Sequence, residues 1–384
     1  MFYGSHILRS LGLLLLTALV CGELAPTDVR GQARPSPQQQ SRPRRAGEAE
    51  QSTTPSSSKG EVVGQDEVVR VETNLTNILF TAVDKDRRFI TTLRQEDVRV
   101  LEDGVPQEIF TFQRETDRPL TLAILIDVSI SQMMTLPGEK AAARAFVNSI
   151  VRPQKDEVAI ISFTGEATVE QELTTDVGRA LRAIDRVEIV LPPEYTGGGP
   201  VIPGASPSIY GTDPRMGTTA IWDAVWATSS DLLSETKDQK RRAIILLTDG
   251  DDTSSRIERS EAIDRAVKAD TVIYSIGIGD RYNFKGVEEN TLRKLSERTG
   301  GRAYFPKDGQ DLRAAFAQIE QELRSQYLVA YSPTNKARDG SFRKVQIEVV
   351  NPALRKEKLR LTYRPGYFAR TATTPAAGSP TRVP

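Results

Sequence analysis

Five side chains, spread over three short segments, have the oxygen atoms and the spacing that suit a hard metal cation. Asp127, Ser129 and Ser131 supply one carboxylate and two hydroxyls at alternate positions, directly after an apolar run. Thr219 lies where a loop is expected to pass into a helix, and Asp249 directly follows a second apolar run. Two carboxylates and three hydroxyls suit Mg²⁺ or Mn²⁺, which favour oxygen ligands in octahedral geometry and retain some waters. The alternative interpretation is that these residues are only strand-end caps and turn formers.

The elements that must position these residues alternate between strands and helices. Apolar runs predict strands at residues 120–126, 158–163, 243–248, 272–278 and 303–305. Amphipathic patterns predict helices at residues 139–150, 177–187, 220–234, 257–269, 288–299 and 312–325. Alternating strands and helices imply a doubly wound, mostly parallel sheet, to which residues 167–173 add an antiparallel edge strand. Because the carboxyl ends of parallel strands converge, we expect the five side chains at one edge of this sheet.

Short strands separated by turn residues flank this α/β region on both sides. Asp103-Gly104 is predicted as a hairpin turn before it, and Asp339-Gly340 as a turn between the strands 326–331 and 342–350 after it. Neither flank has enough strands to bury a core alone. The sequence therefore predicts one small antiparallel β domain, formed by residues 66–116 and 326–370, from which an α/β domain at residues 117–325 is inserted.

The two ends of the chain have compositions that do not support a packed core. Residues 1–25 contain Arg9 followed by an apolar run, which is typical of an export signal cleaved near Ala25. Residues 26–65 and 371–384 are rich in Pro and polar residues, so they are predicted to be disordered. We expect an exported protein of the periplasm, cell envelope or extracellular space, without a transmembrane span in the mature chain. A lipid anchor at Cys21 is the alternative.

The composition excludes several kinds of partner and site. The chain has 51 Lys and Arg and 51 Asp and Glu, so its net charge indicates neither nucleic acid nor an anionic membrane as a partner. His6 and Cys21 are the only histidine and cysteine, and both lie in the predicted export signal. The rest of the chain therefore has no disulfide, no Cys or His zinc site, and no Ser/His/Asp or Cys/His nucleophile.

The order and setting of the three segments resemble the von Willebrand factor type A (VWFA) domain with its metal-ion-dependent adhesion site. The resemblance covers about residues 120–325 and rests on Asp127-x-Ser129-x-Ser131, on Thr219, and on the segment 248–250, Thr-Asp-Gly. The segments 101–107, 327–331 and 366–368 are also similar to secreted VWFA-related domain proteins of acidobacteria.

This resemblance implies a binding module rather than an enzyme. Asp127, Ser129, Ser131, Thr219 and Asp249 would form the metal shell, some of them through water. Mg²⁺ is the expected cation, with Mn²⁺ or Ca²⁺ as alternatives, and a protein partner is expected to complete the shell with an Asp or Glu. Ile130 stands where many relatives have glycine, which is expected to narrow the approach to the metal.

Two other interpretations of the same residues stay open. The segment from Asp249 to Thr253 also resembles the first motif of haloacid-dehalogenase-type phosphohydrolases. In that case Asp249 would be the nucleophile, Asp251 the acid and base, and Asp280 a Mg²⁺ ligand. This interpretation leaves Asp127 and the two serines after it unexplained, and the motif normally opens its domain. The second alternative is a structural VWFA module with a vestigial metal site.

Overall fold

The computed structural model describes residues 75–191, 218–234, 236, 240–279 and 286–371, which belong to one structural unit. The predicted export signal, with its possible anchor at Cys21, and the predicted linker at 26–65 lie outside these residues. So do residues 372–384 of the predicted tail, the Pro- and Gly-rich stretch 192–217, and Asp280. Within the described ranges, no helix has the length and apolar character needed to cross a membrane.

The structure has alternating strands and helices between two groups of strands. The strands are β1 (Thr76–Val83), β2 (Val98–Glu102), β3 (Val105–Gln107), β4 (Ile109–Arg114), β5 (Leu120–Asp127), β6 (Glu157–Phe163), β7 (Ala167–Thr174), β8 (Arg241–Thr248), β9 (Thr271–Gly277), β10 (Ala303–Tyr304), β11 (Tyr327–Tyr331), β12 (Phe342–Val349), β13 (Arg360–Tyr363) and β14 (Gly366–Phe368). The helices are α1 (Leu136–Ile150), α2 (Val177–Arg186), α3 (Ile221–Ala227), α4 (Arg259–Lys268), α5 (Glu289–Thr299), α6 (Gly309–Arg324) and α7 (Pro352–Lys356).

A six-stranded sheet in the order β10-β9-β8-β5-β6-β7 forms the centre of the α/β part. β5 pairs in parallel with β6 on one side and β8 on the other, whereas β7 pairs antiparallel at the edge. The predicted doubly wound, mostly parallel sheet with an antiparallel edge strand is therefore confirmed. Since β5 is central, its carboxyl end lies between those of β6 and β8, which is where Asp127 emerges.

Helices cover both faces of this sheet, which explains why the middle residues of its central strands are apolar. On one face, α1 and α6 bury side chains such as Phe146 and Phe316, whose ring centroids lie 5.0 Å apart. On the other face, α3, α4 and α5 contribute Val225, Ala266 and Leu292 to a second core. All eight residues of β5 and of β8 are buried, as expected for parallel strands that are covered on both sides.

The strands before and after the α/β part pair with each other in two antiparallel sheets. The sheet β13-β1-β11-β4 and the sheet β14-β12-β2-β3 both contain strands from both flanks. Ile78 and Val100 from the first flank share a core with Val329 and Ile347 from the second. The prediction that both flanks fold together into an antiparallel β domain is therefore confirmed.

Both predicted turns of this β domain lie between the strands that the sequence indicates. Asp103 and Gly104 have φ angles of 49° and 83°, so they form the predicted hairpin turn between β2 and β3. Asp339-Gly340 lies between β11 and β12 as predicted, and Gly340 has a φ of 70°. The two strands that it separates, β11 and β12, belong to different sheets. Their pairing partners come from the distant N-terminal flank.

Two helices differ from the predicted ones. The predicted helix 220–234 is α-helical only in α3 and continues as a π-helix over Thr228–Leu233. Hydroxyls of Ser234 and Thr236 donate to carbonyls of this segment and compete with the regular helical bonds. α1 starts at Leu136 rather than at residue 139, because a proline in its first turn suits a helix start. This places Glu139 in the first turn.

Candidate metal centre

Asp127 is the last residue of β5, and its carboxylate is fully buried and held on both oxygens. Oδ1 accepts a hydrogen bond from the backbone N–H of Ser129 at 2.9 Å, and Oδ2 accepts one from the Thr248 hydroxyl at 2.6 Å. Burial, with a smaller effect from the nearby charge of Asp249, raises the pKa of Asp127 to about 6, although these hydrogen bonds oppose the shift. The chain therefore holds this carboxylate in a fixed position where its charge is poorly stabilised.

Ser129 and Ser131 bring their hydroxyls together in the turn that follows β5. Their Oγ atoms lie 3.0 Å apart, across a 3₁₀ turn formed by Ile130–Gln132. Burial raises the pKa of Asp249, and the Ser131 hydroxyl is one of the groups that oppose this shift, so this serine interacts with the second predicted carboxylate. Ile130 begins the 3₁₀ turn without a positive φ, so the backbone here does not need a glycine.

Asp249 directly follows β8, on the strand next to β5. Its Oδ1 accepts a hydrogen bond from the backbone N–H of Asp251 at 3.0 Å. Burial raises the pKa of Asp249, and the Asp251 N–H and the Ser131 hydroxyl oppose this shift. Gly250 turns the chain away from the strand with a φ of 87°, and a Cβ there would lie 3.0 Å from the Cβ of Glu288. A glycine is therefore required directly after this carboxylate.

Thr219 is buried and is held at the same edge by backbone contacts on two sides. Its N–H donates to the Thr253 hydroxyl and its carbonyl accepts from the Thr253 N–H, both at 2.8 Å. The next residue, Ala220, donates its N–H to the carbonyl of Thr164, directly after β6, at 2.7 Å. Thr219 therefore lies between the carboxyl end of β6 and the loop that follows Asp249.

The donor set fits a divalent cation that prefers oxygen. Two buried carboxylates with raised pKa values lie beside neutral hydroxyls, and a bound cation would relieve their unfavourable charge. The described part of the chain holds no cluster of three or more His, Cys, Asp or Glu that could bind a metal by themselves. Hydroxyls and water must therefore supply much of the shell, as Mg²⁺, Mn²⁺ and Ca²⁺ accept.

Family comparisons bear on the same three segments. A von Willebrand factor type A model matches residues 122–251, and a second model of that domain matches residues 209–318. Together the two matched ranges include Asp127, Thr219 and Asp249. They also include the strands and helices that position these residues. The chain contains a VWFA domain. The predicted family and fold class are therefore confirmed.

Several solved structures are similar to this VWFA-containing chain at low identity. Proximal thread matrix protein 1 of the mussel byssus is 16% identical, with 58% of this chain and 51% of that chain covered and a TM-score of 0.44. A VWFA protein from Catenulispora acidiphila is 13% identical over 80% of this chain and 76% of that one, with a TM-score of 0.43. BatB from Bacteroides thetaiotaomicron is 17% identical over 54% and 100%, with a TM-score of 0.38. This chain thus spans about half the length of the mussel protein. No curated protein matches the chain.

The sequence predicts no role for three buried polar residues, one at the end of β8 and two around the start of α1. Thr248 could have been found, because it is the one hydroxyl residue at the end of an otherwise apolar run. Gln132 is fully buried, and its side-chain amide donates to the Ile278 carbonyl at 3.2 Å. This hydrogen bond connects the turn after β5 with the chain after β9. Glu139 is buried in the first turn of α1. Neither of the last two has a signal in the sequence, because polar residues in turns and first helical turns are usually exposed.

Replacing Thr248 by valine is expected to weaken divalent cation binding by about 10-fold or more, the usual cost of losing a group that orients a metal ligand. The variant removes the hydroxyl that donates to Asp127 at 2.6 Å but nearly preserves the volume of the side chain. Thr248→Ser keeps the hydroxyl and is the matched control. Calorimetric titration with Mn²⁺ measures the effect, and equal affinities of the valine and serine variants would contradict this role.

Proposed function

We propose that this chain is an exported protein-binding module whose VWFA domain captures a carboxylate of its partner through a divalent cation. The proposed metal ligands, some of them acting through water, are Asp127, Ser129, Ser131, Thr219 and Asp249. Mg²⁺ is the proposed cation, with Mn²⁺ and Ca²⁺ as alternatives. The observation that carries the proposal is the convergence of three distant segments at one sheet edge, where two buried carboxylates with raised pKa values face neutral hydroxyls.

The balance of charge at this edge favours an acidic partner. A bound divalent cation would supply positive charge and an exchangeable coordination position. Asp127 and Asp249 fix its place, while Ser129 and Ser131 contribute oxygen atoms without adding negative charge. With so few carboxylates in the shell, an Asp or Glu of the partner can complete it. Met133 and Met134 directly follow the 3₁₀ turn Ile130–Gln132, and their side chains are exposed. A partner can therefore approach this side of the turn.

The experiment that tests the proposal is capture of partners from an envelope extract by the immobilised full chain. Proteins retained in the presence of Mg²⁺ are expected to be released by EDTA, because the cation bridges the contact. Asp127→Asn is expected to retain none of them even with Mg²⁺ present. Recovery of the same proteins with Mg²⁺, with EDTA and with the variant would overturn the metal-bridged mechanism.

The phosphohydrolase interpretation stays an alternative prediction. It assigns nucleophilic attack to Asp249 and proton transfer to Asp251, and it leaves the buried carboxylate of Asp127 without a role. It predicts that Asp251→Ala abolishes release of phosphate from a generic ester, whereas Ser129→Ala has little effect. The binding proposal predicts no phosphate release by the wild-type chain.

A further inference from the structure

Glu139 is a buried carboxylate that the proposed ligand set does not use. It lies in the first turn of α1 with none of its surface exposed, and neither carboxyl oxygen has a hydrogen-bond partner among the described residues. The hydroxyl of Thr135 lies nearby but donates to the Gln132 side chain at 2.9 Å. An unpaired carboxylate in a protein interior is costly unless a positive group compensates it. Packing alone therefore does not explain a glutamate at this position.

A series of hydrogen bonds connects Glu139 with the metal centre. The Glu139 N–H donates to the Thr135 carbonyl at 3.1 Å, the Thr135 hydroxyl donates to the Gln132 side chain at 2.9 Å, and the Gln132 amide donates to the Ser131 hydroxyl at 3.4 Å. The hydrogen bonds through Thr135 and Gln132 therefore place Glu139 next to the turn that carries Ser131.

Burial, together with the smaller effects of the negative charges of Asp127 and Asp249, raises the pKa of Glu139 to about 8, although the Thr135 hydroxyl opposes this shift. Three acidic groups thus share one poorly hydrated region. A divalent cation bound nearby would stabilise the ionised form of each of them.

We propose that Glu139 is a third carboxylate of the metal centre, which binds a water ligand of the cation from the buried side of the site. The contact goes through water because the described residues include no three acidic groups close enough to hold one ion directly. This inference rests on the part of the proposed function that requires cation binding, and it is independent of the protein partner. Glu139 acts as a positioning residue: it orients a metal-bound water and increases the affinity for the cation.

The test is calorimetric titration of the full chain with Mn²⁺, comparing Glu139→Gln with the wild type. Glutamine preserves the size of the side chain and removes its charge, so the dissociation constant is expected to rise by about 10- to 100-fold. Glu322→Gln is the matched control, because Glu322 is also buried but contacts Thr81 and Arg302 instead. Its dissociation constant is expected to stay at the wild-type value.

Thermal unfolding in EDTA separates this role from a structural one. Glu139→Gln is expected to unfold at or above the wild-type temperature without metal, because the variant no longer buries an unpaired carboxylate. Glu139→Leu, which also removes the charge, is expected to show the same pattern if the glutamine variant folds poorly. A wild-type dissociation constant in either folded variant would overturn the role of Glu139 alone. Failure of the wild-type chain to bind Mn²⁺ would overturn the proposed function as well.

Discussion

Asp127→Asn is expected to abolish divalent cation binding while leaving the metal-free protein at least as stable as the wild type. The asparagine carbonyl can accept the Ser129 N–H, and the amide can donate to the Thr248 hydroxyl, so both hydrogen bonds of the carboxylate are kept. The variant removes a fully buried charge, which favours the folded state. The variant also loses a proposed ligand of the cation. The affinity for the cation should therefore fall by more than about 100-fold, which exceeds the usual effect of losing a group that only orients a metal ligand.

Calorimetry with Mn²⁺ and urea denaturation in EDTA measure the two parts of this prediction. Asp185→Asn is the control, because Asp185 lies on α2 with 55% of its side chain exposed. It should bind the cation as the wild type does. Retained affinity in Asp127→Asn would remove this residue from the metal shell, and a large loss of metal-free stability would show that the carboxylate is structural.

The metal-free protein is expected to become less stable as the pH rises from about 5 to about 8. The pKa values of Asp127 and Glu139 are raised to about 6 and about 8 in the folded state, above their ordinary values of 3.8 and 4.5. Between the ordinary and the raised pKa, the folded state binds more protons than the unfolded state, so stability falls as the pH increases. A tenfold change in a proton dissociation constant corresponds to about 1.4 kcal/mol, so the loss of stability is on the order of several kcal/mol.

Urea denaturation in EDTA across this pH range tests the prediction. Asp97 and Asp156 have lowered pKa values, so their contribution is lost only as the pH falls toward and below their ordinary value of 3.8. Asp127→Asn should reduce the loss of stability in the lower part of this pH range. Glu139→Gln should reduce the loss in the upper part. Saturating Mg²⁺ should oppose the loss, because a bound cation favours the ionised carboxylates. Stability that is constant or rises from about pH 5 to 8 would contradict the burial of these acids.

Local sequence signals were sufficient for the central sheet and for most of the site. The middle residues of β5 and β8 are apolar because both faces of each strand are covered. Asp127 and Asp249 lie at the same edge of the sheet because the two strands are parallel. The hairpin at Asp103 and Gly104 was also predictable, because few residue pairs adopt two positive φ angles.

The features that sequence reasoning missed depend on tertiary contacts. β11 and β12 join different sheets because their partners, β1 and β2, lie more than two hundred residues earlier in the chain. Nothing in the strands themselves indicates that choice. Glu139 has the sequence setting of an ordinary exposed acid in a first helical turn, and only its burial beside Asp127 and Asp249 distinguishes it.

Water proton relaxation of the Mn²⁺-loaded chain is the most direct test of the metal-bridged contact. Mn²⁺ held by the wild-type protein is expected to enhance relaxation, because the bound ion keeps an exchangeable water. Acetate, the simplest carboxylate, should lower that enhancement by displacing the water, whereas the neutral analogue acetamide should not, and Asp127→Asn should show no enhancement. Enhancement that is absent in the wild type, or that acetate and acetamide leave equally unchanged, would contradict a metal centre open to a partner's carboxylate.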